Sequence, residues 1–289
     1  MLGANSYGKS GIRLVQVSRH GDRHDVQDLA VSVRLEGDFG AAHLAGDNAA
    51  VLPTDTMKNT VYAMAAERSL EPIEAFALRL ARHFVETHAP VSLARVEIAE
   101  RPWERIEAGG RPHGSAFRRP GGEARLAAAT CGRAESGEAS IEAGLGDLVI
   151  LKTARSGFSG FARDRFTTLR DTDDRLLATA LRAIWTYECD AADLSFAALR
   201  AGIRQTLLET FAEHESRSVQ HTLYAMGEAV LERHAEVREI RLTMPNKHHL
   251  PVDLSPFGIS NANAVFVATE EPYGLIEAAV HRTAPPARS

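Results

Sequence analysis

The chain has 289 residues, with 33 Lys and Arg against 38 Asp and Glu for a net charge of −5, and 44% of its residues are hydrophobic. That length suits two domains of about 100–150 residues each, and the acidic balance argues against nucleic-acid binding, whose footprint is a basic excess. Its two cysteines, Cys131 and Cys189, stand far apart, which excludes a disulfide framework and a cysteine-type zinc site and fits a reducing compartment.

The start Met1–Ser6 is polar and has no apolar signal core, and no apolar run approaches the ~20 residues of a membrane span. The expectation is a soluble, cytoplasmic protein without a membrane partner. The tail from about 283 to 289, rich in Pro and Ala, is expected to be disordered.

Residues 11–20 and 28–39 read as two strands. In the second, Leu29, Val31, Val33 and Leu35 alternate with Ser32, Arg34 and Glu36. Between them, "RHGDRH" has the Gly and Asp of a polar hairpin tip. Pro53-Thr54-Asp55 opens a helix, with a hydroxyl or carboxylate placed to cap it. A second helix runs from Pro72 to about His88, lined by Ile73, Phe76, Leu80 and Phe84. Strands follow at about 91–106 and 114–132, and the Gly-, Pro- and Arg-rich stretch 108–123 reads as a mobile hairpin tip.

The order then repeats. Residues 138–153 read as a strand with Leu145, Asp147, Val149 and Leu151 in alternation, and 180–188 as another. A helix over 195–214 carries Leu199, Ile203, Leu207 and Phe211. Ser218 caps a further helix bearing Leu223, Met226 and Val230. Strand 237–244 alternates Ile240, Leu242 and Met244 against polar residues, and 263–269 is a nearly all-apolar strand. The fold class is therefore α+β: two tandem domains, 1–136 and 137–289, each an antiparallel four-stranded sheet with two helices on one face. The uncovered face of such sheets suggests oligomerisation.

Five short strings carry polar residues at the ends of these elements. They are Tyr7-Gly8-Lys9, "PTDTMKNTVY" (53–62), "SGFSGFARDRFTTLRDTDDRLLAT" (156–179), Ser218-Val219-Gln220 and "MPNKHHLPVDL" (244–254). Each has an ordinary explanation: a solvated lysine, a helix cap, a core phenylalanine, a surface ion pair, a turn. Together they fit a flat, polar, anionic heterocycle. Asn246 and His248 leave their strand on the same parity.

In their order and separations these strings resemble the urate oxidases, over nearly the whole chain from Tyr7 to His248. The resemblance implies two tunnelling-fold domains per subunit, a homotetramer with active sites at subunit interfaces, and oxidation of urate by dioxygen without cofactor. It implies that Lys9 and Thr54 form a proton-moving dyad completed by His248. It places Arg175 and Gln220 on the flat edge of urate, with the backbone of Asp55 and Val219 nearby, Phe158 stacked on the purine, and Asn246 holding dioxygen or water above the ring. The chemistry suits these types: guanidinium offers two parallel donors, an amide pairs with a lactam edge, and an aromatic ring fixes the plane.

Three other readings stand beside this one. "RHGDRH" resembles the start of a histidine phosphatase, but lacks that signature's proline and the alternating strand–helix order. Pterin-processing enzymes share the tunnelling fold and bind a similar heterocycle, and a non-catalytic purine binder would be expected to lack Lys9, Thr54 or His248. No metal site is expected. His20 and His24 flank a turn, and His248 and His249 are adjacent, pointing to opposite faces. Ser159, where some relatives have a bulky aromatic, and His249 border the expected site.

Overall fold

A computed structural model describes residues 1–68, 70–133, 139–187 and 194–282. The chain divides into two compact units, the first comprising Met1–Gly144 with the described part of 191–197, the second the remainder. This division lies after Gly144. The expected boundary between residues 136 and 137 and the expected tail 283–289 fall outside the described residues.

The first unit runs β1 (Ser6–His20), β2 (Arg23–Gly37), α1 (Gly40–Ala45), α2 (Thr54–Ala66), α3 (Ile73–Thr87), β3 (Val91–Glu100), β4 (Glu104–Ala108), β5 (Arg111–Arg118) and β6 (Ala124–Gly132). Its main sheet has the order β1-β2-β3-β6, antiparallel throughout. Leu29, Val31, Val33 and Leu35 are buried, as their alternation predicts. α2 packs against β1, and α3 against β3 and β6. α3 meets the sheet with Ile73, Phe76, Leu80 and Phe84, all buried in one core at the helical three-and-four spacing.

"RHGDRH" is the tip of the β1–β2 hairpin. Arg19 pairs with His24 and His20 with Arg23 across the turn at Gly21 and Asp22. Arg105 of the β4–β5 ribbon donates to the His24 carbonyl at this tip and binds the adjacent Asp25 at 2.5 Å, while donating within the ribbon to the Gly114 carbonyl at 2.7 Å. That ribbon corrects the expected strands 91–106 and 114–132. The sheet strands stop at Glu100 and restart at Ala124. The stretch 104–118 forms its own hairpin, and Gly109 and Gly110 at its turn have φ of 60° and 74°, which favours glycine.

The second unit contains most of β7 (Ser140–Lys152) and α4 (Phe196–Glu213), which both cross the unit boundary, and β8 (Leu177–Tyr187), α5 (Val219–Arg233), β9 (Val237–Lys247), β10 (His249–Pro251), β11 (Phe266–Ala268) and β12 (Gly274–His281). The sheet order is β7-β8-β9-β12, and α5 packs against β9 and β12. α4 buries Ile203, Leu207 and Phe211.

Two expectations need correction here. The apolar run 263–269 does not supply the fourth sheet strand: Phe266–Ala268 pairs with β10 in a separate ribbon, and β12 takes that place. β12 reads GLIEAAVH, and its alanines give little hydrophobic contrast between the two faces. In β7, Leu145, Asp147, Val149 and Leu151 do not share a face. Asp147 has φ 56°, and beyond it the phase shifts by one residue, burying Leu148 and Ile150 and exposing Val149 and Leu151.

Cations from strand ends hold the C-termini of three helices. Arg133, just after β6, donates to the carbonyls of Val85 and His88 at 2.8 Å and Val91 at 2.6 Å. Arg282, just after β12, donates to Leu231 at 2.6 Å, His234 at 3.0 Å and Val237 at 3.1 Å. Lys152, the buried end of β7, donates to Phe211 at 3.2 Å and to the His214 carbonyl. Each positive charge sits where a helix dipole leaves partial negative charge and unpaired carbonyls.

Arg133→Ala is expected to destabilise the protein by about 2–3 kcal/mol, measured by urea unfolding, because several carbonyls lose a charged donor. Arg133→Lys recovers only part, lacking the forked geometry. His214 gives a pH prediction. Burial, with His221 and Lys152 nearby, depresses its pKa below the usual histidine value. Its unfolded form therefore takes up a proton first, and stability is lost as pH falls below about 6.5. His214→Gln should flatten that dependence between about pH 6.5 and 5. An unchanged slope in unfolding experiments would refute it.

Candidate active site

In the first unit, the site residues gather between the start of β1 and the start of α2. Tyr7 stands edge-on to Phe39 at 4.7 Å, and its hydroxyl accepts the Leu52 N–H at 2.8 Å. This ties the residues just before α2 to β1. Gly8 lies so close to β2 that an added Cβ would meet the Val33 carbonyl oxygen at 1.9 Å. A bulge follows Lys9, with Gly11 at φ 67° and its N–H donated to the Ser32 hydroxyl at 3.1 Å. Lys9, half-buried and opposite Val33, contributes to the field on Asp55.

The expected capping role of Thr54 or Asp55 does not hold. Pro53 occupies the cap position, Thr54 is the first helical residue, and no side chain caps α2. The Asp55 carboxylate turns instead to Lys58 and to Asn59, the latter at 3.0 Å. The hydrogen bond from Lys58, more than any other group, holds it below the usual carboxylate range. The first-turn N–H groups of Thr54 and Asp55 therefore have no capping oxygen, which is the arrangement that favours an anion.

In the second unit, backbone ladders bring three distant segments together. Ser216 accepts the Gly157 N–H at 2.8 Å and donates to Arg155 at 2.9 Å. Phe158 and Thr172 exchange N–H···O bonds at 2.6 and 3.0 Å, and Arg175 donates its N–H to the Ser156 carbonyl at 2.9 Å. The Arg175 guanidinium consequently lies 5.3 Å from the centre of the Phe158 ring. Phe158 also stacks on Phe161 at 4.9 Å, with the rings 10° from parallel.

The same ladder delivers the start of α5. Ser218 caps the helix as expected, accepting the His221 N–H at 3.1 Å. Val219 is buried in the first turn and Gln220 is exposed beside it. Asn246 lies near the end of β9, opposite Thr179. His248 does not share a continuous strand with it. β9 ends at Lys247, and His248 lies in the break before β10, its carbonyl accepting the Thr269 N–H at 2.9 Å.

Lys9, Thr54 and Asp55 thus belong to the first unit, and Phe158, Arg175, Val219, Gln220, Asn246 and His248 to the second. The most telling feature is Arg175. Its Nε and Nη2 are buried and make no hydrogen bond, and burial lowers its pKa from the usual arginine value. Sequence reading missed the Tyr7 hydroxyl, the Ser216 ladder and the buried hydroxyls of Ser156 and Thr179, neither of which has a partner. Ser156 and Thr179 stand at the two ends of one quoted string and Tyr7 opens another, but Ser216 lies outside all five, and serines and threonines abound elsewhere in the chain. Among the described residues, no group of three or more His, Cys, Asp or Glu side chains is arranged to hold a metal ion. No described helix is long and apolar enough to cross a membrane.

The sequence matches the family described as Uricase over residues 5–130 and 141–277. It is 46% identical over 282 residues to the uricase of Arthrobacter globiformis, covering 98% of this chain and 90% of that protein. It is 37% identical to the Danio rerio uricase, covering 96% of this chain and 93% of the relative. The crystal structure of the Arthrobacter globiformis uricase superposes with a TM-score of 0.91, covering 100% of this chain and 97% of that one. A hyperthermostable mutant of the urate oxidase from Bacillus sp. TB-90, 24% identical, shares the fold with a TM-score of 0.84 over 96% of this chain and 99% of its own. The chain belongs to the uricase family.

Proposed function

We propose that this protein oxidises urate with dioxygen and water to 5-hydroxyisourate, releasing hydrogen peroxide. The observation that carries the reading is the half-buried Arg175 guanidinium beside the Phe158 ring, whose Nε and Nη2 are buried and unpaired. Buried cationic nitrogens without acceptors are costly, and a flat anion supplies both the acceptors and the opposite charge. Urate is such an anion near neutral pH. Its oxygen-and-nitrogen edge meets Arg175, the Gln220 amide pairs with the lactam beside it, and Phe158 holds the plane. The first-turn N–H groups of Asp55 and Val219 add donors to the same edge.

Loss of a further proton makes the purine electron-rich enough to reduce dioxygen itself, so the substrate supplies the electrons that a flavin or metal supplies elsewhere. Lys9 acts through the Thr54 hydroxyl to take that proton, and His248 completes the relay. Asn246 holds dioxygen, then water, above the ring. The two groups of residues stand in different units of the chain. They meet across an interface between copies in a homotetramer, which also covers the open sheet faces.

The test is oxygen uptake by purified protein with urate in air-saturated buffer containing a strong chelator, with the urate ultraviolet band followed in the same cuvette. Uptake matching urate loss is the expected result, and a folded, oligomeric sample without uptake would overturn the reading. Arg175→Ala should lower kcat/KM for urate by roughly a hundredfold, mostly through KM. Lys9→Met should lower kcat by about a hundredfold or more while binding survives. A Lys9→Met variant with unchanged turnover would remove the proposed base.

A further inference from the structure

Thr179 lies in β8, fully buried, and its hydroxyl makes no hydrogen bond. Such a hydroxyl is destabilising where a valine of the same shape would pack without cost, so its presence calls for a use. Thr179 stands directly opposite Asn246 in the β8–β9 ladder. Opposed residues of an antiparallel pair project to one face, with Cβ atoms about 4.5–5.5 Å apart. On its other flank Asn246 is opposed by Gly274 of β12, which has no side chain. Among the described residues Thr179 is thus the one side chain directly opposite Asn246, and Ile276, which reaches toward it past Gly274, is apolar and offers the amide no hydrogen bond. The terminal torsion of an asparagine is broad, and a backbone strand does not set which end of the amide faces the substrate.

We propose that Thr179 is a positioning residue for Asn246: with the site loaded, its hydroxyl hydrogen-bonds the carboxamide and sets the end presented to dioxygen. This rests on the reading of Asn246 given above. A group acting this way affects the oxygen step and leaves recognition of the purine edge alone.

The experiment uses the full-length oligomer with Thr179→Val, Thr179→Ser and Thr179→Ala. Oxygen uptake is measured with urate and dioxygen varied separately, alongside equilibrium binding of xanthine, a dioxopurine without the third oxygen. Thr179→Val should lower kcat and kcat/KM for dioxygen by roughly tenfold, with urate KM and xanthine affinity within about twofold of wild type. Thr179→Ser should restore the oxygen step. In an Asn246→Ala background, Thr179→Val should add no further loss. Unchanged oxygen kinetics in Thr179→Val would overturn the proposal, as would a Ser variant as impaired as Val, which would assign the effect to the methyl group. If the Val variant does not fold, the Ala and Ser variants decide on the same criteria. A wild type without urate-dependent uptake overturns the proposed function, and the role of Thr179 with it; an active wild type with a silent Val variant overturns only the latter.

Discussion

The architecture depends on cations that leave the sheet and grip the ends of helices. Arg133 and Arg282 occupy corresponding places in the two units, each one residue past the last strand of its sheet. Each reaches the final carbonyls of the helix before the preceding strand, together with the first residue of a strand. One side chain thereby fixes the angle between helix, loop and sheet edge. Lys152 performs the same task for α4. Hydrophobic burial brings the layers together, but it is non-directional. The charged clamps, whose donors must meet particular carbonyls, set where along the sheet each helix stops.

The site uses that rigidity indirectly. Its residues lie on strand ends, a helix start and a loop, and the loop is not left to itself. Ser216 and Thr172 convert the 155–158 segment into short ladders, so Phe158 and Arg175 are placed by backbone hydrogen bonds. Backbone placement is insensitive to most side-chain substitution, so the positions of Phe158 and Arg175 do not depend on their own side chains. On the first unit, Tyr7 does the corresponding work by holding Leu52 just ahead of Thr54.

Much of this was legible in the sequence where the pattern has contrast. The alternation of β2, the apolar stripe of α3 and the serine cap of α5 each follow from side-chain chemistry over a few residues. The failures share a cause. The break in β7 depends on the left-handed backbone of Asp147, and aspartate is a residue that sequence reading assigns to any turn or exposed face. β12 was lost among alanines, while the exposed Val265 and Val267 advertised a buried strand that is not there. For the site, the strings identified which residues to watch. They did not reveal that two Arg175 nitrogens lack acceptors or that Thr179 hides an unused hydroxyl, because satisfaction of a polar group depends on neighbours from several segments.

The unpaired nitrogens of Arg175 bear on the lifetime of the protein. Burying them without acceptors raises the free energy of the folded state, and the unfolded chain returns them to water. An anion that satisfies them does so only in the folded chain, so occupancy and folding are linked, and each tenfold excess over Kd adds about 1.4 kcal/mol. Resistance to heat and proteolysis then rises and falls with the concentration of the molecule the site accepts. A fold that carries such a debt is most durable when the site is filled.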